Sequence, residues 1–402
     1  MRNPVGPASI EAPPMLTLTD APDAIDPVAM TTAGGFGWWY ADLVDVDGNG
    51  VVIIAGEGLP FLPGLASAAR AGRPVSPSSR PSLNVAVYER GICTFYGLRE
   101  LSGRSDSGTS ALQAACAARE EVVVFGDSTL RLVVDEVEAR FVADLDFDVG
   151  VGRLTGTVTI TGPRRTPTGT LHTLGTPTAG LDEVVHRWAP QLGPARGEAR
   201  LRFGGRDVVI VGSGYHDRNS ARRPLHALGI AWWTWARADV VVEGRRCLRI
   251  VYACWPDGRA DGVAPEAFGV TVDDVGATAV VAVDVEVDVR RTWLAMRDVR
   301  RLRARTKDGL PFFVGEVCAR VDDGPFYLRS TFRAGVDSAD VASNGFIEVV
   351  EPHAVDTPWQ RPFVKMKVTP STPSSSSLWQ PLFAGPRAGR LGRQLRRFVG
   401  RV

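Results

Sequence analysis

The sequence predicts an all-β protein made of two antiparallel β-barrel domains in tandem. Short strand-like runs recur along most of the chain, separated by Gly, Pro, Ser or Asp, which is typical of antiparallel barrels and sandwiches. The 402 residues exceed one ordinary core, and the second half repeats the all-β character of the first. We therefore predict a flexible leader at 1–33, barrel domains at 34–225 and 226–370, and a separate tail at 371–402.

The first predicted element is a β-hairpin that follows the leader. Residues 1–33 are rich in Pro and Ala and show neither strand nor helix periodicity, so we expect them to be flexible. Order is expected to begin at GGFGWWYADLVDVDGNGVVIIAGEG. There Trp38-Trp39-Tyr40 enters an alternating strand, DGNG turns the chain, and Val51–Ile54 returns as the second arm.

The DGNG turn also resembles the start of a calcium-binding loop, because Asp45, Asp47 and Asn49 have the spacing of its first ligands. The twelfth position, where a bidentate Glu belongs, is Gly56, and the flanking segments are strand-like instead of helical. The sequence therefore favours a plain turn, and we expect no metal site.

Strands are predicted through the rest of both halves, and two segments depart from the pattern. Thr109–Glu120 is moderately helical, and 161–182 is a long Thr/Gly/Pro loop that we expect to form a lid or a peripheral excursion. The predicted strands are Leu83–Tyr88, Cys93–Leu98, Glu121–Phe125, Leu130–Val134, Ala139–Val142, Leu154–Ile160, Arg196–Phe203, Asp207–Val211, Ala279–Val289, Leu310–Ala319 and Pro325–Phe332.

Composition restricts the possible partners and the compartment. The 46 basic and 45 acidic residues give a formal charge of +1, so no global attraction to nucleic acid is expected. The 5 cysteines are widely spaced without a CxxC, which indicates a reducing compartment with neither a disulfide framework nor a zinc site. The sequence shows no run of 18 apolar residues and no secretory signal, so we predict a cytoplasmic protein.

The tail after residue 370 differs from the rest of the chain. STPSSSS has the composition of a linker, and Arg387–Val402 carries 6 arginines and no acidic residue. Leu391, Leu395 and Phe398 fall on one helical face, which predicts a peripheral contact with the anionic inner membrane face. A solvated tail is the alternative, because Gly389 weakens a helix.

The segment Gly212–Trp255 carries the candidate site. It places His216, Asp217 and Asn219 just upstream of a tryptophan cluster and of Tyr252. Few titratable groups among many large aromatic side chains are typical of a dry pocket, where a polar group is costly unless it is paired or used. We therefore predict a site for a hydrophobic small molecule at the junction of the two domains.

These residues belong to a series of motifs that resembles the carotenoid 1,2-hydratases (hydroxyneurosporene synthases), a two-domain lipocalin-like family. The resemblance runs from about residue 34 to 367. It implies two lipocalin-like barrels and the addition of water across the terminal double bond of an acyclic carotene without a cofactor. The motifs are GGFGWWYADLVDVDG, SLNVAVYE, HRWAPQLGPARGEARL, GYHDRNSARRPL, WWTWARA, IVYACWPDG, RTWLAMRD, DDGPFYLRS and VDTPWQRPF.

The resemblance also implies roles for individual residues. Asp217 would protonate the alkene, His216 would assist it or orient water, and Asn219 would fix the local hydrogen bonds. A structural role stays open for each of them, with His216-Asp217 as a paired polar group and the tryptophans as ordinary core. The residues expected to line the substrate pocket are Trp38, Trp39, Tyr40, Tyr215, Asn219, Trp233, Thr234, Trp235 and Tyr252.

Three positions depart from the family pattern and keep other functions open. Thr234 stands where an acid or imidazole is common, Ala253 follows Tyr252 where Asp is common, and Ser220-Ala221 follows GYHDRN in place of an aromatic residue and Gly. A threonine hydroxyl can orient water but cannot protonate an alkene. The alternatives are a cyclase or Diels–Alderase-like enzyme that shapes a polyene, and a non-catalytic isoprenoid or lipid carrier.

Overall fold

The structure is a computed structural model and consists almost entirely of strands. It describes residues 16–19, 25–101, 112, 120–149, 152–165, 171–174, 186–257, 264–292, 295–324, 326–337, 343–365 and 367–370. Within them, 2 sheets contain every strand, and the predicted all-β class is confirmed. No helix of the described chain has the length and apolar character needed to cross a bilayer.

The first sheet is formed by 13 of the described strands. They are β1 (Leu16–Thr19), β2 (Phe36–Val44), β3 (Gly50–Glu57), β4 (Pro81–Glu89), β5 (Ile92–Glu100), β6 (Glu120–Phe125), β7 (Ser128–Val134), β8 (Glu138–Asp148), β9 (Arg153–Pro163), β10 (Leu171–Leu174), β11 (His186–Phe203), β12 (Arg206–Ala221) and the late β21 (Val368–Thr369). Their order is β21-β5-β4-β3-β2-β12-β11-β9-β8-β7-β6, with β1 beside β10 and β11.

The second sheet closes on itself as an antiparallel barrel. Its closure pairs the last strand with the first, so that Trp235 lies opposite Glu348. The strands are β13 (Ile230–Val242), β14 (Arg245–Pro256), β15 (Glu266–Val272), β16 (Thr278–Arg291), β17 (Arg297–Thr306), β18 (Pro311–Asp323), β19 (Tyr327–Gly335) and β20 (Ser343–Val350).

The described helices are short and lie at the ends of strands. They are α1 (Pro27–Thr31), α2 (Leu65–Arg70), α3 (Arg361–Lys365) and the 3₁₀ turns Pro77–Ser79, Leu225–Ala227 and Pro352–Ala354. Asp26 caps α1, because its Oδ1 accepts a hydrogen bond from the Val28 amide at 3.0 Å. Helices this short are stabilised by the sheets that they cover rather than by their own propensity.

Three apolar cores follow from the alternation of side chains along the strands. One fills the first sheet, which curls so that Phe95 on β5 contacts Phe147 on β8 and Phe203 on β11, with ring centroids 6.4 and 5.4 Å apart. A second fills the barrel around Phe313 and Phe332. The third lies between the outer faces of the two sheets and holds them together.

The predicted hairpin and strands are confirmed. β2 and β3 pair antiparallel, and Asp45 Oδ1 accepts hydrogen bonds from the amides of Asp47 and Asn49 at 2.8 Å each, which makes DGNG a turn. Each predicted strand lies within or overlaps a strand of the structure. The division of the chain at residue 225 stays a prediction.

Two expectations about loops are wrong. The leader is not entirely flexible, because Leu16 and Leu18 of β1 are buried against β11 and α1 buries Met30. In the predicted loop at 161–182, residues 161–163 continue β9 and 171–174 form β10 beside β1. The strands that the sequence analysis missed are β1 and β10. Each is a short stretch that becomes a strand only when another strand pairs with it.

Two other predicted segments fall largely outside the described residues. Of the helix predicted at Thr109–Glu120, the structure describes a helical Leu112 and Glu120, which begins β6. The tail at 371–402 lies outside the described residues entirely, and so does the membrane contact predicted for it.

Candidate active site

A narrow cavity lies between the outer faces of the first sheet and the barrel, and most of its wall is aromatic. Tyr40 meets Trp235 across the two sheets, with ring centroids 5.6 Å apart, and Trp188 meets Tyr252 at 5.2 Å. Phe61 borders the cavity from the loop after β3 and packs against Trp38. The aromatic walls are Trp38, Tyr40, Phe61, Trp188, Trp233, Trp235, Tyr252 and Tyr327.

Strand register explains how residues distant in sequence reach this cavity. In the pairing of β2 with β12, Tyr40 lies opposite Asp217 and Trp38 lies opposite Asn219. In the barrel, Trp235 lies opposite Tyr252. Because every second residue of a strand faces the same side, the outer faces of β2, β12, β13 and β14 present these groups to one another.

The carboxyl group of Asp217 reaches the cavity from the first sheet. The residue is only 4% exposed. Its Oδ2 accepts hydrogen bonds from Trp188 Nε1 at 2.8 Å and from the Tyr215 hydroxyl at 2.9 Å. Its Oδ1 accepts one from Asn219 Nδ2 at 2.8 Å. These contacts fix the carboxyl group in place among apolar walls.

Burial raises the pKa of Asp217 to about 8. The hydrogen bonds from Trp188 and Tyr215 oppose this rise in pKa, and the negative charges of Glu348 and Asp42 add to it. At neutral pH the carboxyl group is therefore mostly protonated. A protonated carboxyl group in an apolar cavity has the chemistry of a general acid.

His186 packs behind the cavity wall, and the sequence analysis did not select it. It lies 5.7 Å from the Trp233 ring and 5.5 Å from the Trp38 ring, and its Nε2 is 2.9 Å from Asn219 Oδ1. Burial lowers its pKa to about 4, so the imidazole is neutral at neutral pH and Nε2–H donates to Asn219. A hydrogen-bonded chain thus runs from His186 through Asn219 to Asp217.

The structure does not bring His216 into the cavity. His216 is next to Asp217 on β12 and therefore faces the opposite side, inside the first sheet, 4.8 Å from Phe141 and 5.4 Å from Trp39. Its Nδ1 donates to the Tyr40 carbonyl oxygen at 2.8 Å. Burial, followed by the charge of Arg218, lowers the pKa of His216 to about 3, so it is a neutral core residue.

Strand alternation also removes Trp39 and Thr234 from the predicted lining. Trp39 packs inside the first sheet, where the guanidinium of Arg218 lies 4.6 Å from its ring. Thr234 lies on the same side of β13 as Ala236, which belongs to the barrel core, and its hydroxyl donates to the Glu348 carbonyl oxygen at 2.9 Å. The predicted residues that do lie together are Trp38, Tyr40, Tyr215, Asp217, Asn219, Trp233, Trp235 and Tyr252.

The barrel contributes a second carboxyl group that sequence reasoning missed. Glu348 on β20 lines the cavity, and its Oε1 accepts a hydrogen bond from Arg329 Nε at 2.8 Å. No sequence motif marked this residue, because it reaches the cavity only through closure of the barrel. Among the described residues, no group of three His, Cys, Asp or Glu side chains is placed to hold a metal ion.

The fold and the cavity together define a two-sheet β-protein in which a buried carboxyl group faces an aromatic cavity. The chain belongs to the carotenoid hydratase CrtC family, whose model matches residues 58–376. The family predicted from sequence is thus confirmed.

The chain is also similar to the acyclic carotenoid 1,2-hydratase of Thiocapsa roseopersicina, with 43% identity over 89 residues. That stretch covers 20% of this chain and 22% of the relative.

Three solved structures resemble the chain at low sequence identity. A protein described as AttH from Nitrosomonas europaea is 12% identical, with a TM-score of 0.45 over 79% of this chain and 92% of that one. CghA with Sch210972 is 12% identical, with a TM-score of 0.49 over 85% and 99%. Kievitone hydratase from Nectria haematococca is 10% identical, with a TM-score of 0.40 over 85% and 98%.

Proposed function

We propose that this protein adds water across the terminal carbon–carbon double bond of an acyclic carotene, with Asp217 as the proton donor. One observation carries the proposal: the carboxyl group of Asp217 is buried, has a pKa of about 8 and faces an aromatic cavity. Membership of the carotenoid hydratase family supports the choice of substrate class. No cofactor enters the proposed reaction.

The proposed chemistry begins with transfer of the Asp217 proton to the terminal CH carbon of the alkene. A tertiary carbocation forms at the neighbouring carbon, and a water molecule captures it to give a tertiary alcohol after loss of a proton. Trp38, Tyr40, Trp233 and Trp235 present π-faces or edges to the cavity. Each aromatic face that meets the cation stabilises it by roughly 0.5–2 kcal/mol.

An unactivated alkene is a weak base and a carboxyl group with a raised pKa is a weak acid, so the cavity must stabilise the ions that proton transfer creates. The cation forms between aromatic walls, which replace its hydration once the substrate displaces the remaining solvent. The hydrogen bonds from Trp188 and Tyr215 stabilise the carboxylate left after proton transfer. Trp188 and Tyr215 therefore stabilise the Asp217 carboxyl group more strongly as negative charge develops on it in the transition state.

We expect the purified chain to convert lycopene in detergent micelles into a product heavier by one water molecule. In ¹⁸O-labelled water, the new hydroxyl should carry the label, and mass spectrometry of the pigment measures this directly. Unchanged lycopene that copurifies with the protein would instead indicate a carrier. An isomer of unchanged mass would indicate a cyclase, because cyclisation adds no atoms.

The pH dependence of hydration should follow protonation of Asp217. Its protonated form is the active one, so kcat should be level below pH ~8 and fall about tenfold per pH unit above it. The measurement is kcat at saturating lycopene between pH 6 and pH 10, both taken as approximate limits. A rate that rises through pH ~8 would mean that the carboxylate is the active form, and the proposed role of Asp217 would be wrong.

A further inference from the structure

The cavity has a second polar wall, on the barrel side, that the proposed proton transfer does not use. On three neighbouring barrel strands, Trp235, Glu348 and Arg329 lie directly opposite one another. Two residues away on β19 and β20, and on the same face, Tyr327 lies opposite Val350. Trp235, Glu348, Tyr327 and Val350 all line the cavity that Asp217 enters from the first sheet.

Glu348 forms an ion pair with the fully buried Arg329. Arg329 is fully buried, donates from Nε to Glu348 Oε1 at 2.8 Å and donates from Nη1 to the Tyr88 hydroxyl at 2.7 Å. The Tyr327 and Tyr40 rings lie 5.1 and 5.7 Å from its guanidinium. A carboxylate fixed by a rigid guanidinium keeps one orientation and retains lone pairs for another donor.

Several buried hydrogen-bond donors around Glu348 lack a partner in the described part of the chain, among them Arg329 Nη2 and the Tyr40 hydroxyl. Two more lie on the barrel side of the cavity. Trp235 Nε1 and the Tyr327 hydroxyl are buried, and neither makes a hydrogen bond within the described part of the chain. A buried donor without a partner costs about 1–3 kcal/mol. A carotene has no oxygen or nitrogen and cannot satisfy them, whereas a water molecule can accept from both.

From this arrangement we infer that Glu348 is a second catalytic residue, which binds the attacking water together with Tyr327 and Trp235. The inference rests on the proposed hydration. As the water oxygen attacks the tertiary cation, it gives up its hydrogen bond from Trp235 or Tyr327, and the lone pair so freed forms the C–O bond. One O–H bond then breaks and its proton passes to the Glu348 carboxylate. Asp217 has by then given its proton to carbon, so Asp217 is left as a carboxylate and Glu348 is protonated. Proton exchange with solvent then returns a proton to Asp217 and removes one from Glu348.

The test separates protonation of the alkene from capture of the cation. In D₂O, a cation that is not captured loses a proton or a deuteron and returns as lycopene that has gained deuterium at its end groups. For Glu348→Gln we expect alcohol formation to fall about 100-fold while deuterium exchange persists. These two rates give a ratio of alcohol formed to deuterium exchanged, which Glu348→Gln should lower. Tyr327→Phe should lower this ratio as well. Glu316→Gln, at an exposed ion pair on β18, is the matched control and should leave the ratio unchanged.

Asp217→Asn distinguishes failure of this inference from failure of the proposed function. It should lose alcohol and exchange together, because no proton reaches the alkene. If the ratio of alcohol to deuterium exchange in Glu348→Gln equals that of the wild type, Glu348 is not the base. Hydration with Asp217 as the proton donor would still stand. The ratio is insensitive to the fraction of folded protein, so a partly unfolded variant still gives an answer.

A crystal structure of the protein without substrate tests the water site independently of activity. We expect an ordered water molecule within about 3.2 Å of both the Glu348 carboxylate and the Tyr327 hydroxyl. Tyr327→Phe should lose or displace it. A dry pocket, or one in which a protein group partners both donors, would overturn the inference.

Discussion

Asp217→Asn should reduce the hydration rate of an acyclic carotene by about 10³-fold, which would be the largest effect of a single substitution in the cavity. The amide has nearly the same volume as the carboxyl group and can still accept from Trp188 and Tyr215, but it has no acidic proton to give. The initial rate of alcohol formation measures the loss. Wild-type activity in this variant would reject Asp217 as the acid.

His216→Asn provides the control for that substitution, because it changes the adjacent residue on the same strand. The His216 ring lies inside the first sheet, on the opposite side of β12 from the cavity, and donates to the Tyr40 backbone carbonyl oxygen. We therefore expect hydration per folded molecule to stay within a few-fold of wild type. A loss equal to that of Asp217→Asn would show that packing inside the first sheet, and not the acid alone, controls the reaction.

The same Asp217→Asn variant should have a free energy of unfolding that depends less on pH. The native pKa of about 8 lies above that of an unfolded aspartate, so the native state holds the proton more tightly. The contribution of protonated Asp217 to the free energy of unfolding is fully present below pH ~4, and it declines by up to ~1.4 kcal/mol per pH unit until pH ~8. Urea unfolding near both ends of that window measures the slope. Equal slopes in the two proteins would mean that Asp217 is ionised when folded.

The sequence predicted the all-β fold well because its main signals are local. Alternating apolar residues and the DGNG turn specify strands and a hairpin without knowledge of the rest of the chain. The missed β1 and β10 are short and become strands by pairing with each other, and β1 also pairs with β11. Such pairing is a long-range property that a local pattern does not contain.

The site was predicted in part, and the errors share one physical cause. His216 next to Asp217, and Trp39 between Trp38 and Tyr40, were grouped with their neighbours although adjacent strand residues face opposite sides. A strict count of alternate positions from Asp217 would have kept Tyr215 and Asn219 and excluded His216. The same count along HRW places His186 and Trp188 on one face, which is the signal that could have found His186.

Glu348 illustrates what strand alternation alone cannot supply. Its position opposite Trp235 depends on the pairing of β20 with β13, the contact that closes the barrel. The stretch SNGFIEVV carries no turn or charge pattern that marks one glutamate as functional. Only the register of the closed barrel, combined with the position of the first sheet, places this carboxyl group at the cavity of Asp217.

Arg237→Ala should lower the free energy of unfolding by about 3–5 kcal/mol, the largest stability effect that we expect. Arg237 on β13 is fully buried and donates to both oxygens of Asp42 on β2, and its Nη1 donates to Ser213 Oγ on β12 at 2.8 Å. Removing the guanidinium leaves the Asp42 carboxyl group buried without its positive partner. Urea unfolding at neutral pH measures the loss, and a cost below about 1 kcal/mol would show that water reaches the pair.

The double variant Asp42→Leu/Arg237→Met separates the electrostatic cost from the packing cost. Taking both charges out of the interior removes two desolvation penalties together with the attraction, so stability should return close to the wild-type value. Hydration is a second readout, since β2, β12 and β13 carry Tyr40, Asp217 and Trp235 into the cavity. If the double variant is stable but inactive, the ion pair sets the position of the two sheets at the cavity. If it is stable and active, the apolar contacts between the sheets are sufficient to position them.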